Sequence, residues 1–320
     1  MINGIINIYK EQGFTSFDVI AKLRGILKQK KIGHTGTLDP DAVGVLPVCL
    51  GSATKLCDVL TDKTKEYVAE FILGKTTDTQ DISGTVLEEH PVNCTQEQIK
   101  ECVMGFTGLQ SQIPPMYSAI KVNGKKLYEL AREGKEVERK AREITIYEIE
   151  ILKLVIPNIK IRVKCSKGTY IRTLCHDIGQ RLNCGAVMTS LERTQSGMFT
   201  KEKALTLKQV EELRDSGELL QHILPVDFVF MGYPEVIATD ETLKKVMNGN
   251  LVLKREWTQI NDDTDGALYR IYKQEDNQKT FLALYEYCVE KKGFKPNKMF
   301  WSRKDNDADY NRSNKDIITN

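Results

Sequence analysis

The sequence predicts an α+β protein, and three observations carry that expectation. Its longest apolar patterns alternate as strands, its helices are local insertions between them, and no strand–helix–strand repeat runs through the 320 residues. At roughly 100–200 residues per domain, a chain of this length suits two unequal domains. Hydrophobic residues make up 41% and charged residues 28%, an ordinary mix for a packed core that excludes disorder, collagen and coiled coil.

The elements follow in order. Residues 5–9 read as a short strand, ended by the polar Lys10-Glu11-Gln12-Gly13. Thr15 or Ser16 caps a helix whose apolar positions are Phe17, Ile20, Leu23 and Leu27. Residues 33–51 read as a glycine-rich loop. Residues 67–73 alternate, with Tyr67, Ala69, Phe71 and Leu73 on one face. Thr95 and Gln98 form a capping box before a helix that turns Ile99, Cys102, Val103 and Phe106 inward. Val122-Asn123-Gly124-Lys125 is a hairpin turn. Residues 142–156 and 159–165 are two long strands joined by Pro157-Asn158, and Gly168-Thr169 opens a helix through Ile171, Leu174, Cys175, Ile178 and Leu182.

A boundary falls near Met231-Gly232-Tyr233-Pro234. Beyond it, residues 251–253, 268–272 and 281–287 give the short strands of a small β-rich barrel. Hydrophobic residues nearly vanish from Ser302 to the end, so a disordered polar tail is expected. The expected division is 1–231, 232–300 and 301–320.

Charge is distributed unevenly. The net charge is only +2, yet residues 121–172 carry 14 Lys/Arg against 7 Asp/Glu. A second basic run, Lys22, Arg24, Lys28, Lys30 and Lys31, leads into the glycine-rich segment. Within residues 159–165, Ile159, Ile161, Val163 and Cys165 alternate with Lys160, Arg162 and Lys164. Period-2 geometry puts those three cations on one sheet face, and with Lys167 they are expected to hold phosphates of a nucleic-acid backbone. The ordinary alternative is a solvated cationic face.

Eight cysteines lack the two-residue spacing of a zinc knuckle or redox motif, and four histidines are scattered. No metal is expected, and the thiols suit a reducing cytoplasm. The uncharged stretch of residues 42–54 contains Pro47 and falls short of the roughly 18 apolar residues of a membrane span. Lys10, Glu11 and Asp18 interrupt any signal-peptide apolar region. A soluble, unexported protein is expected.

Gly33-His34-Thr35-Gly36-Thr37-Leu38-Asp39-Pro40 admits three readings. A phosphate loop fails, because no Gly-Lys-Ser/Thr follows. A structural turn at Asp39-Pro40 and a catalytic loop projecting the Asp39 carboxylate both stay open on these residues alone. His176-Asp177 is read as structural, since helical neighbours point about 100° apart.

That segment has company. It is followed by Gly44-Val45-Leu46-Pro47-Val48-Cys49-Leu50-Gly51, Ala53-Thr54-Lys55, Lys65-Glu66-Tyr67 and Thr77-Asp78-Thr79-Gln80-Asp81. Then come Gln112-Ile113-Pro114-Pro115-Met116-Tyr117-Ser118-Ala119-Ile120-Lys121, Cys165-Ser166-Lys167-Gly168-Thr169-Tyr170-Ile171-Arg172 and Leu191-Glu192-Arg193-Thr194-Gln195-Ser196-Gly197. In this order, across residues 10–199, they resemble the bacterial TruB family, the tRNA pseudouridine synthases that act on the T loop at nucleotide 55. The resemblance implies a pseudouridine synthase-like domain with a large, mostly antiparallel mixed sheet. A weaker likeness at Arg270-Ile271-Tyr272 and Phe281-Leu282-Ala283 implies a PUA-like RNA-binding β domain.

Carried over by position, the resemblance implies Asp39 as the catalytic aspartate, Arg172 as its cationic partner and Tyr67 as the aromatic packed on the uracil. Leu191 would line the uracil pocket, His34 would contact RNA around the flipped nucleotide, and Tyr170 would bind substrate. Two departures stand out: Glu11 replaces the proline of Lys-Pro-x-Gly, and Glu192 replaces the first arginine of Arg-Arg-Thr. Glu11 loosens the turn and adds a negative charge without touching the assigned residues, and Glu192 reverses one expected RNA-facing cation. The implied partner is the T arm of tRNA, met by a monomer without cofactor or metal. A non-catalytic tRNA-binding protein would use the same basic and aromatic residues, and only the Asp39–Arg172 pair separates the two. A glycoside hydrolase would want a second cooperating carboxylate, which these motifs do not offer beside Asp39.

Overall fold

The computed structural model describes residues 1–301 except 62, 258–259, 261–263 and 276–277. β1 (Gly4–Lys10) leads to α1 (Ser16–Leu27), whose Thr15 cap and Asp18 bond each other's backbone amides. Next come β2 (Ile32–His34), β3 (Val43–Leu50), α2 (Cys57–Thr61) and β4 (Lys65–Leu73). β5 (Lys75–Thr77) and β6 (Val86–Glu89) pair, followed by α3 (Gln96–Met104) and β7 (Gly108–Gln112). A hairpin of β8 (Lys121–Val122) and β9 (Lys125–Lys126) precedes α4 (Leu127–Arg132). β10 (Arg142–Val155), β11 (Asn158–Cys165), α5 (Ile171–Arg181), β12 (Ala186–Ser196), β13 (Phe199–Thr200) and α6 (Leu207–Asp215) complete the larger part. β14 (Glu235–Ile237), α7 (Asp240–Met247), β15 (Val252–Leu253), β16 (Leu268–Glu275), β17 (Gln278–Cys288) and β18 (Gly293–Met299) follow.

Nine strands form one sheet in the order β1-β3-β12-β4-β11-β10-β7, with β2 added to β3 and β13 to β12. Its pairings are antiparallel except that of β12 with β3. The alternation in β4 and β11 turns Ala69, Phe71, Ile161 and Val163 into a core with Ile99 and Val103 of α3 and Leu174 and Ile178 of α5. At the other end, Ile8, Leu46 and Val48 are covered by Val19, Ile20, Leu23 and Ile26 of α1 and Val210 of α6. Every strand of the second sheet, β14-β16-β17-β18-β15, lies in residues 235–299. It builds its own core around Trp257 and meets the large sheet where Phe230, Leu284 and Phe300 pack with Ile5, Val45 and Cys49. Among the described residues, no helix is long and apolar enough to cross a membrane.

Four expectations need correction. Residues 33–51 are not one loop: β3 runs through their second half, with seven of its eight residues buried. A strand buried on both faces reads as a continuous apolar run, and the glycines and Pro47 hid it further. The central strand β12 escaped because register shifts near Met188 and Arg193 break its alternation. On α1, Phe17 stands 68% exposed, while the buried stripe uses Val19 and Ile26. Finally, the β-rich segment is a five-stranded sheet with β14 and β18 as unforeseen members, and β14 and β15 at its ends do not pair with each other among the described residues. The tail from Ser302 lies outside the described residues.

Candidate active site

Asp39 sits on the short connection between β2 and β3, clamped on both sides. The Ser16 hydroxyl, at the start of α1, accepts from the Leu38 amide at 2.9 Å. The Pro40 carbonyl accepts from the Gly13 amide at 3.0 Å and from Lys10 Nζ at 3.1 Å. Thr35 ties the beginning of the segment to Pro47, its amide donating at 3.1 Å. The carboxylate therefore projects from a fixed backbone, with 47% of its side chain exposed.

Arg172, in the first turn of α5, is almost wholly buried and spends its guanidinium on four acceptors. Nη2 lies 3.1 Å from Asp39 Oδ2 and donates to the Tyr117 carbonyl at 2.7 Å. Nη1 donates to Asp81 Oδ2 at 3.2 Å and to the Thr79 carbonyl at 3.1 Å. Asp81 is itself held by the Thr79 hydroxyl at 2.8 Å and the Ser83 amide at 3.0 Å. One permanently charged fork thus bridges two carboxylates, which Lys could not do with a point charge. The surrounding protein raises the Asp39 pKa above its ordinary 3.8, Arg172 pulls it back, and the Asp81 charge pushes it up again.

Leu38, next to Asp39, belongs to an apolar cluster with Tyr67 and Leu191. Tyr67 on β4 and Leu191 on β12 face the same core, Leu191 opposite Ala69 in the register and Arg193 opposite Tyr67. Burial raises the Tyr67 phenol, with the charge of Arg193 opposing, so the ring stays neutral. Tyr170 caps α5, its backbone held from both sides by Gln112 at 2.8 and 3.0 Å. Burial also raises its phenol. His34, at the end of β2, meets Phe17 edge-on at 5.4 Å, and burial with the Arg193 charge lowers its pKa. Both effects favour the neutral imidazole.

With that geometry in place, two family models match the chain. Residues 24–171 match the one described as TruB family pseudouridylate synthase (N terminal domain), and residues 172–231 match tRNA pseudouridylate synthase B C-terminal domain. The chain belongs to the TruB family. It is 53% identical over 309 residues to tRNA pseudouridine synthase B of Lachnoclostridium phytofermentans, covering 93% of this chain and 100% of that one. To the protein of the same name from Clostridium kluyveri it is 48% identical over 271 residues, 85% of this chain and 92% of that one. Among solved structures, a Cbf5 chain of a Cbf5-Nop10-Gar1 complex superposes with a TM-score of 0.67 at 28% identity, covering 94% of this chain and 86% of that one.

In this TruB-family chain the structure pairs Asp39 with Arg172 and gathers Leu38, Tyr67 and Leu191 in one apolar cluster. It does not bring the β11 cations there. Tyr67 pairs with Val163 on the core face, so Lys160, Arg162 and Lys164 point from the opposite face. There Lys160 pairs with Glu70 at 2.9 Å, and Arg162 is engaged by Glu150 and Glu66. Cross-strand acids explain why the alternation existed. Glu192 shares that outer side, accepting from the Tyr9 hydroxyl at 2.8 Å and pairing with Lys201.

Three residues were missed. Asp81 lay inside a quoted motif without a role. Arg193, 2% exposed, donates Nε to the Val45 carbonyl at 2.7 Å and Nη2 to the Gly36 carbonyl at 3.3 Å, pinning β3 to the loop of Asp39. Lys10 is fully buried, and burial brings its pKa down to about 8 against the pull of Asp39 and Asp41. A buried arginine and lysine beside one aspartate leave no mark on periodicity. Only the motif context pointed at them.

Proposed function

We propose that this chain converts uridine to pseudouridine in the T loop of tRNA, at nucleotide 55, as a monomeric cytoplasmic enzyme. The single observation that carries the chemistry is the 3.1 Å contact of Arg172 with Asp39, a half-exposed carboxylate held by a buried guanidinium. Names of relatives at 53% and 48% identity support tRNA as the substrate.

The reaction breaks the bond from uracil N1 to ribose C1′ and forms one from C5 to C1′. C5 loses a proton, N1 gains one, and nothing is oxidised or imported. No redox or group-carrying cofactor is called for. Asp39 starts the exchange, as nucleophile or as base, and needs its ionised form for either. Arg172 favours that form and fixes the carboxylate's angle. Tyr67 and Leu191 retain the detached uracil while it turns, Tyr67 stacking on its face. The base must first leave its own stack at about a few kcal/mol, and on this reading His34 and Tyr170 occupy and orient the opened loop. Residues 232–300 are read as a PUA-like RNA-binding unit, supported by their separate sheet and core.

The test is Asp39→Asn on an RNA stem-loop with the T-arm sequence. Binding is retained and conversion is lost. Conversion at the wild-type rate would remove Asp39 from the chemistry and favour a protein that only binds tRNA.

A further inference from the structure

We propose that the exposed ridge of α1 receives the RNA strand where it leaves the cleft, with a base on Phe17 and phosphates on Arg24, Lys28, Lys30 and Lys31. This rests on the reading of the substrate as tRNA and names a surface for it that the motifs leave unassigned.

Phe17 begins the ridge. Its ring is the most exposed of the large hydrophobic side chains described, at 68%, although it sits on a helix that buries its other apolar face. It stands edge-on to His34 at 5.4 Å and 85°, so the two rings present adjoining aromatic surfaces. Its neighbour Ser16 holds the backbone of Leu38, one residue before Asp39. The exposed ring is thus fixed relative to the catalytic loop.

Helical spacing then continues the surface. Residues 17, 21, 24 and 28 fall on one ridge, and all four are exposed. Ala21 leaves it low, while Arg24 and Lys28 stand about 10 and 16 Å along the axis from Phe17 at 1.5 Å per residue. Arg24 Nε donates to the Lys30 carbonyl at 3.1 Å, which brings Lys30 and Lys31 beside the helix end. Among the described residues none of these four cations has an ion pair, whereas the β11 cations Lys160 and Arg162 are answered by glutamates. The nearby Asp18 is occupied by Thr15, whose amide and hydroxyl both donate to it. An aromatic ring beside His34, followed by unpaired cations, fits a nucleic-acid strand: the ring accepts any base and the cations accept its phosphates.

The test uses the full chain and a fluorescent T-arm stem-loop, titrated over a range of KCl concentrations. Arg24→Ala/Lys28→Ala/Lys31→Ala should flatten the plot of log affinity against log salt by about 2, at roughly 0.7–0.9 per lost phosphate contact. Phe17→Ala should weaken KM about tenfold at nearly constant kcat, with Phe17→Tyr restoring it and Phe17→Leu not. All these side chains are exposed, and circular dichroism checks that folding is kept. An unchanged salt slope, a Phe17→Leu variant that binds like wild type, or a larger slope change from Lys160→Ala/Arg162→Ala/Lys164→Ala would overturn the proposal. The parent reading is judged separately, by whether the wild-type chain converts uridine at all.

Discussion

Asp81 reaches Arg172 at 3.2 Å, on the guanidinium nitrogen that does not face Asp39. The catalytic candidate therefore shares its counterion with a second acid, and that acid fixes the direction in which the guanidinium points. Replacing Asp81 by Ala leaves Nη1 with the Thr79 carbonyl alone. The expected result is a single-turnover rate lower by about 10²-fold, the usual cost of an ångström-scale misplacement, with RNA affinity nearly unchanged. A normal rate would mean that Tyr117 and Thr79 suffice to hold the arginine.

Asp39 is expected to set the acid limb of the rate profile. Its pKa is raised above 3.8, first by burial, so the rate should fall as pH drops through a value above that of a free aspartate. Asp81 contributes to the rise, so Asp81→Asn should move the limb to lower pH. Stability carries the opposite sign. A carboxyl whose folded pKa lies above its unfolded one costs nothing below the unfolded value and its full penalty above the folded value. Asp39→Asn should therefore unfold at higher urea than wild type at pH 7, with the advantage gone near pH 3.5. Equal midpoints at pH 7 would contradict the raised pKa.

Lys10 offers a basic counterpart. Its folded pKa of about 8 lies below the ordinary 10.5, with burial the leading cause. Between those values the unfolded chain binds more protons, so this group's contribution to stability rises with pH. Relative to Lys10→Met, wild type should gain about 2 kcal/mol between pH 7.5 and 9.5, on the order of 1.4 kcal/mol per pH unit above the folded pKa. Urea unfolding of both proteins at the two pH values measures it. A constant difference would mean that Lys10 keeps its charge throughout.

How much of this was legible depended on what each residue faces. β11 could be read because one face is solvent and the other core, so Ile161 and Val163 alternate with Lys160, Arg162 and Lys164. β3 could not, because both its faces are buried. The same alternation shows which way a lysine points, not which glutamate on the next strand answers it. Asp39, Arg172 and Tyr67 were assigned by motif, yet their meeting depends on β4, α5 and a turn far apart in the chain. Asp81 and Arg193 act through contacts across 91 and 148 residues, to Arg172 and Val45, which no local pattern encodes.

Gly44 gives the sharpest structural prediction. It pairs with Arg193 where β3 and β12 run parallel, at a φ of +111°, and a Cβ there would fall 2.2 Å from the Arg193 carbonyl oxygen and 2.8 Å from its nitrogen. Both atoms are backbone, so no rotamer change relieves the collision, and the strands must part. Parting them also pulls Arg193 from Val45 and Gly36, and with them the support of the Asp39 loop. Gly44→Ala should cost at least about 3 kcal/mol, lowering Tm by on the order of 6–12 °C, and should reduce conversion in whatever folds. Gly134→Ala is the matched control, since its φ of +70° carries backbone strain but nothing lies within 4 Å of the added carbon. Its cost should stay near 1–2 kcal/mol, the strain alone. Equal losses at the two positions would show that dihedral strain, not the close approach of β3 to β12, is what Gly44 relieves.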